Sequence, residues 1–228
     1  MSVAPERPRA AMILAAGRGE RLRPLTDATP KPLLRVLGQP LIERHVRGLA
    51  RAGVERIVIN LAWLGSQISE YLGNGSRYGA SIIYSDEQRA LETAGGIIRA
   101  LPHLEPGPFA VVNGDIYTDF PFGTLGITGA MDAHLVLVPN PPQHRQGDFG
   151  LEQGLALSSA ANQYTFSGIA VYRSAFFAGC ADGVRPLKPL LVRSMAARRC
   201  SAELFDGMWE DVGTPQRLQA LNAGQAPS

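Results

Sequence analysis

The sequence predicts an α/β protein: a Rossmann-like, three-layer αβα sandwich around a mixed, mostly parallel sheet. Three observations lead there. Apolar runs of strand length recur along the 228 residues, and the first four are separated by segments with helical spacing. Such alternation builds parallel sheets, because each parallel pair needs a crossover and the crossover covers a sheet face. After residue 130 the alternation breaks and strands follow with less helix between them, which predicts antiparallel additions at one edge.

The elements follow in order. "AAMILAA" (10–16) is a core strand behind a frayed tail, residues 1–9. In "PLIERHVRGLARAG" the residues Leu41, Ile42, Val46, Leu49 and Ala50 form one helical stripe, which Gly53 ends. His45 lies within that helix and is expected at its surface or boundary. "RIVINLA" (56–62) is the second strand, "WLGSQISEYLG" a shorter helix and "ASIIYS" (80–85) the third strand. "TAGGIIRALPHL" reads as a helix weakened by its glycines, and "FAVVN" (109–113) as the fourth strand. "AHLVLV" (133–138) and "YTFSGIAVY" (164–172) flank the Pro/Gly-rich "PNPPQHRQGDFG", a rim loop over a pocket. A late helix (186–199), "SAELF", "MWEDVG" and a short helix from Pro215 complete the chain. No linker or charge block interrupts it, so residues 1–228 are expected to form a single domain.

Composition excludes several classes. A hydrophobic content of 45% with 18% charged residues describes a folded globular chain. A net charge of +2 does not advertise nucleic acid as a partner. No apolar run reaches the length of a membrane span, and a cytoplasmic location is expected. Cys180 and Cys200 stand apart from any CxxC or His pair, which argues against zinc and for reduced thiols.

The informative stretch is "LAAGRGERLRPLTDATPKPLL" (14–34), directly after the first strand and so at the carboxyl edge of the sheet, where ligands of such folds bind. Gly17 and Gly19 bare backbone N–H groups, while Arg21, Arg23 and Lys31 supply charge. Pro30 and Pro32 stiffen the backbone around Lys31 and fix where its ammonium points. The combination suits a polyphosphate. "GRGERL" lacks the third glycine of a dinucleotide fingerprint, and no Walker A pattern is present. Asp115 follows the strand "FAVVN", and Asp211 ends "MWED". Singly, each is as ordinary as a cap or turn residue. Magnesium, however, is held by one or two carboxylates together with phosphate oxygens.

The stretch resembles the signature of the sugar-1-phosphate nucleotidylyltransferases. "LETAGGI" (91–97), "VNGDIYTD" (112–119), "TFSGI" (165–169) and "WEDVGT" (209–214) follow in the order expected of that family. "INLAWLGSQI", "GDF" and "TFSGI" look closest to the branch that uridylylates N-acetylmuramic acid 1-phosphate in peptidoglycan recycling. The resemblance implies a nucleoside triphosphate and a sugar 1-phosphate as small-molecule partners, with neither nucleic acid nor membrane. It implies that Arg21 and Lys31 are catalytic. Ala15, Ala16, Gly17, Gly19, Glu20, Glu92, Thr93 and Gly95 would join those two in binding the nucleotide. Asn113, Asp148, Ser167, Gly168 and Lys188 would meet the sugar phosphate, and Asp115 and Asp211 would hold Mg²⁺. Many relatives carry a Glu-Lys-Pro whose lysine grips the sugar phosphate; here that region reads "LEQGLALSSAANQ", leaving Lys188, Arg145 or Arg185 to substitute. No catalytic base is needed, because a sugar phosphate is largely an oxyanion at neutral pH. The alternatives are the same chemistry on mannose 1-phosphate with GTP or on another sugar 1-phosphate, and a non-catalytic nucleotide-sensing subunit.

Overall fold

The computed structural model describes residues 4–87 and 91–224. The strand β1 (Ala10–Leu14) leads to the short helix α1 (Leu25–Ala28), the ribbon β2 (Arg35–Val36) and β3 (Gln39–Pro40), and the helix α2 (Leu41–Arg51). Alternation continues through β4 (Arg56–Leu61), α3 (Gly65–Leu72), β5 (Ser81–Asp86), α4 (Glu92–Leu104) and β6 (Phe109–Asn113). The later strands are β7 (Ile116–Thr118), β8 (Ala133–Val138), β9 (Phe149–Glu152), β10 (Leu155–Leu157) and β11 (Gln163–Tyr172). α5 (Lys188–Ala196), β12 (Cys200–Leu204), β13 (Trp209–Asp211) and α6 (Pro215–Asn222) follow.

The main sheet runs β5-β4-β1-β6-β11-β8-β12-β10-β9. Its first four strands are mutually parallel, in register with Ala10 beside Arg56 and Phe109. Beyond β6 the joins are antiparallel except for β8 with β12, so the sheet is mixed but not mostly parallel. Local turns explain the difference. β9 and β10 form a hairpin through Gln153 and Gly154, both at positive φ (50° and 76°), a two-residue turn with no Asn-Gly or Asp-Gly to announce it. β11 is ten residues long and pairs with β6, β8 and β9.

Successive residues of β1 enter different cores. Ala11 and Ile13 join Ile42, Val46 and Leu49 of α2 and Ile68 and Leu72 of α3. Ala10 and Met12 join Ala94, Ile97 and Ala100 of α4 and Leu190 and Leu191 of α5. A strand buried on both sides needs a continuous apolar run, which is why "AAMIL" shows no alternation. The segment expected as a frayed tail is tied down from Glu6, which exchanges two backbone hydrogen bonds with Ile127.

Candidate active site

β1, β4 and β6 end together, and their last residues form one edge. Asn60 ties that edge. Its Oδ1 accepts the Ala15 N–H at 2.8 Å, and its Nδ2 donates to Glu87 Oε1 at 2.8 Å. Both Asn60 and Glu87 are buried, and the space beside them exists because residue 96 is glycine: a Cβ there would stand 2.7 Å from Glu87 Oε1.

Two cavities, of about 280 and 290 Å³, adjoin at this edge and share Asn113 and Asp115. The first is walled by Leu14–Gly17, Lys31, Pro32, Asn60, Glu87, Leu91–Thr93 and the shared pair. The second is walled by Arg21, Pro141, Gln143, His144, Thr165–Ser167, Trp209 and Asp211.

Lys31 stands where they meet. It opens a 3₁₀ turn, Lys31–Leu33, with Pro30 extended before it and Pro32 inside it. Its side chain is only 8% exposed, and Nζ lies 2.6 Å from Asp115 Oδ2 and 3.8 Å from Asp211 Oδ1. The two carboxylates, almost a hundred residues apart in sequence, thus flank one ammonium. The β7–β13 ribbon brings them there, pairing Asp211 with Ile116. Arg217 of α6 holds Asp211 from behind, with Nη1 3.1 Å from Oδ2 and 3.0 Å from the carbonyl oxygen. Gly213 is required at this corner. A Cβ would sit 2.9 Å from Asp211 Oδ2 and 3.2 Å from guanidinium nitrogens of both Arg21 and Arg217. Glu210 faces away into a buried position near Arg217, and burial raises its carboxyl above the ordinary range despite that arginine.

No ligating cluster of three or more His, Cys, Asp or Glu occurs among the described residues. Two carboxylates that are about a third exposed, face adjoining cavities and already share a cation do fit a hard divalent ion that takes its other oxygens from phosphate and water.

The remaining expected residues divide. Ala15, Ala16, Gly17, Glu92 and Thr93 line the first cavity; Asn113 lies in both and Ser167 in the second. Glu92 adopts φ 57°, unusual for a side chain and placed on the cavity wall. Gly168 (φ 79°) lets the bulge of β11 close on Asn113, where a Cβ would meet Nδ2 at 2.4 Å. Arg21 faces the second cavity, not the first.

Other expected residues stand off the walls of these two cavities. Gly19 lines neither cavity; at φ 69° it packs under the Lys31 stem, and Glu20 beside it is exposed. Gly95 lies against the Gly183–Arg185 backbone, where its N–H is taken by the Arg185 carbonyl at 3.2 Å, so its missing side chain serves helix packing. Asp148 lines neither cavity; it accepts the Phe166 N–H at 2.9 Å and faces His144 at 3.2 Å. Lys188 is exposed at the start of α5 and lines neither cavity; Arg145 bonds the Pro142 carbonyl. His45 is not at a surface: it is wholly buried, with Nε2 2.9 Å from the Ile116 carbonyl oxygen. Sequence reasoning missed Asn60, Glu87, Trp209 and Arg217. A polar residue ending an apolar strand is the signal that could have found Asn60.

Comparison with known proteins identifies the family. The nucleotidyl transferase family matches residues 10–153. A Neisseria meningitidis serogroup B protein, N-acetylmuramate alpha-1-phosphate uridylyltransferase, is 50% identical over 93% of this chain and 96% of its own. The Caulobacter vibrioides protein of the same name is 34% identical over 95% and 96%. In fold, a Bacillus anthracis protein assigned as a glucose-1-phosphate thymidylyltransferase, in complex with sucrose, matches with a TM-score of 0.81 at 22% identity, covering 94% of each chain. The chain belongs to the nucleotidyl transferase family. It is a sugar-1-phosphate nucleotidylyltransferase, similar over nearly its whole length to the two uridylyltransferases above.

Proposed function

We propose that the chain transfers a uridylyl group from UTP to N-acetylmuramic acid 1-phosphate, giving UDP-N-acetylmuramic acid and pyrophosphate. The observation that carries this reading is the pair of cavities joined at Asn113 and Asp115, with Lys31 at the junction. In this reading the triphosphate occupies the first cavity and the sugar phosphate the second. The choice of uridine and of the lactyl-bearing sugar rests on the likeness to the Neisseria and Caulobacter enzymes.

The chemistry needs alignment and charge neutralisation more than proton transfer. A non-bridging oxygen of the sugar phosphate attacks the α-phosphorus, and pyrophosphate leaves with the bonding electrons. Lys31, a nearly buried point charge at the junction, neutralises charge as it shifts toward the leaving group. Arg21, on the wall beside Asp211, would bind the sugar phosphate and take the part left open by the missing Glu-Lys-Pro lysine, a reading its place on that wall supports. Asp115 and Asp211 would hold Mg²⁺, which when bound supplies Lewis-acid stabilisation of phosphate oxygens. Without it, Lys31 and Arg217 offset the charge of the same two carboxylates. The lactyl carboxylate would meet the Gln143–His144 wall of the second cavity.

The test is pyrophosphate release from a matrix of UTP, GTP, CTP and dTTP against N-acetylmuramic acid, N-acetylglucosamine, glucose and mannose 1-phosphates. The reading expects UTP with N-acetylmuramic acid 1-phosphate to give the highest kcat/KM. A higher value for GTP with mannose 1-phosphate would overturn the substrate choice and leave the reaction class intact. No turnover of any pair would favour the sensing subunit.

A further inference from the structure

β7 is three residues long and pairs on one edge only, with β13. On that edge the Asp115 carbonyl accepts the Val212 N–H at 3.0 Å. The next carbonyl, of Ile116, takes the His45 ring of α2 as its partner, and both residues are buried. A carbonyl on an edge without a strand is ordinarily satisfied by water, which cannot reach this one. Nε2 of His45 does what a third strand would do.

The ring is fixed in place. Phe122 meets it edge-on, with centroids 6.2 Å apart and planes at 83°. Phe122 reaches there over Gly48, one helical turn beyond His45, where a Cβ would stand 2.7 Å from its ring. Nδ1 has no hydrogen-bond partner, so the proton sits on Nε2 and is donated to Ile116. Burial pushes the imidazole down to about 4, with the Ile116 carbonyl and Asp115 opposing it and Arg44 adding to it. The ring is therefore a fixed neutral donor at working pH.

The other buried residues of α2 are Leu41, Ile42, Val46, Leu49 and Glu43, the last paired with Arg47 and Tyr71, and an aliphatic residue at position 45 would fill the same space without stranding a nitrogen. A polar ring in this setting has a specific task, and the one polar group it bonds is the carbonyl next to Asp115. We propose that His45 is a positioning residue: by holding the Ile116 carbonyl it sets where the Asp115 carboxylate stands relative to Asp211 and Lys31. The inference rests on the reading of Asp115 and Asp211 as the divalent-ion pair.

His45→Leu, His45→Gln and Asp115→Asn test it. The readouts are Mn²⁺ binding to the substrate-free protein, followed by electron paramagnetic resonance of the free ion, and the division of kinetic loss between kcat and KM. In folded His45→Leu, Mn²⁺ affinity and kcat should each fall by roughly tenfold while KM for UTP stays within about twofold. His45→Gln, which keeps an N–H at similar reach, should recover most of both. Asp115→Asn should abolish Mn²⁺ binding. Unchanged Mn²⁺ affinity in Asp115→Asn would overturn the metal reading itself. Lost affinity there beside wild-type affinity in His45→Leu would overturn the positioning role alone, as would equal losses in the Leu and Gln variants. Should His45→Leu not fold, His45→Gln against the shorter His45→Asn repeats the comparison, and equal behaviour of those two overturns the proposal.

Discussion

The two cavities are written into the chain in different ways. The first draws four wall residues from one run, Leu14–Gly17, and its cation from the same stretch, with Asn60, Glu87 and Leu91–Thr93 completing it from elsewhere. The second is assembled from Arg21, the rim loop, the bulge of β11 and the end of β13, segments far apart in sequence. A wall that follows one strand can be read as a motif, because the strand's direction alone places it. A wall assembled from several segments depends on which strands lie side by side, and sequence periodicity does not report that.

The junction should be the most sensitive place, since both halves fail without it. Asp115→Asn and Asp211→Asn should each lower kcat by roughly 10²–10³-fold with near-normal far-UV circular dichroism. Near-normal turnover of both at saturating Mg²⁺ would show that the halves do not meet at these residues. Lys31→Ala should cost about 10²-fold, mostly in kcat and less in KM for UTP. A rise confined to KM would make Lys31 a member of the first cavity only.

Legibility follows the same division. The strands at 10–14, 56–61, 109–113 and 133–138 lie within two residues of the apolar runs that announce them, because burial on both faces demands such runs. Lys31 was legible because its prolines leave its direction little choice. Lys188 was not, since being one of two lysines says nothing about where α5 lies. A glycine signals close approach without saying to what; at Gly95 the neighbour is the Gly183–Arg185 backbone. His45 and Arg217 act through Ile116 and Asp211, and no local pattern encodes a partner that only the ribbon of β7 and β13 brings near.

His45 offers a smaller effect, read in stability. Its native pKa, near 4, lies below its ordinary value of 6.5, so the unfolded chain binds the proton more readily. The stability this group contributes is fully present above about pH 6.5 and is lost as pH falls through 4. Within that window the unfolding equilibrium should shift by up to about tenfold per pH unit, or roughly 1.4 kcal/mol. His45→Gln should flatten this part of the urea-denaturation stability curve. An unchanged slope would mean that the ring is not the buried neutral group described above.

The smallest effect probes the second cavity, where sequence and structure part. Arg145 is the residue that charge alone would select for a sugar carboxylate, yet its Nε is turned to the Pro142 carbonyl and it lines neither cavity. Gln143 and His144, its neighbours in the rim loop, do line the second. His144 is also braced by Asp148, 3.2 Å away, which in turn is pinned to the Phe166 N–H. A contact made by a braced side chain loses less conformational freedom on binding than one made by an exposed arginine. His144→Ala should therefore lower kcat/KM for N-acetylmuramic acid 1-phosphate by about tenfold, the worth of one hydrogen bond to a charged group, and Gln143→Ala, at an exposed and unbraced wall residue, by less. KM for UTP should change little, because the first cavity does not include them. Arg145→Ala should stay within about threefold for both substrates. If Arg145→Ala instead lost the preference over N-acetylglucosamine 1-phosphate while His144→Ala kept it, the rim loop would have to rearrange when the sugar binds, and the charge pattern would have been the better guide to this cavity.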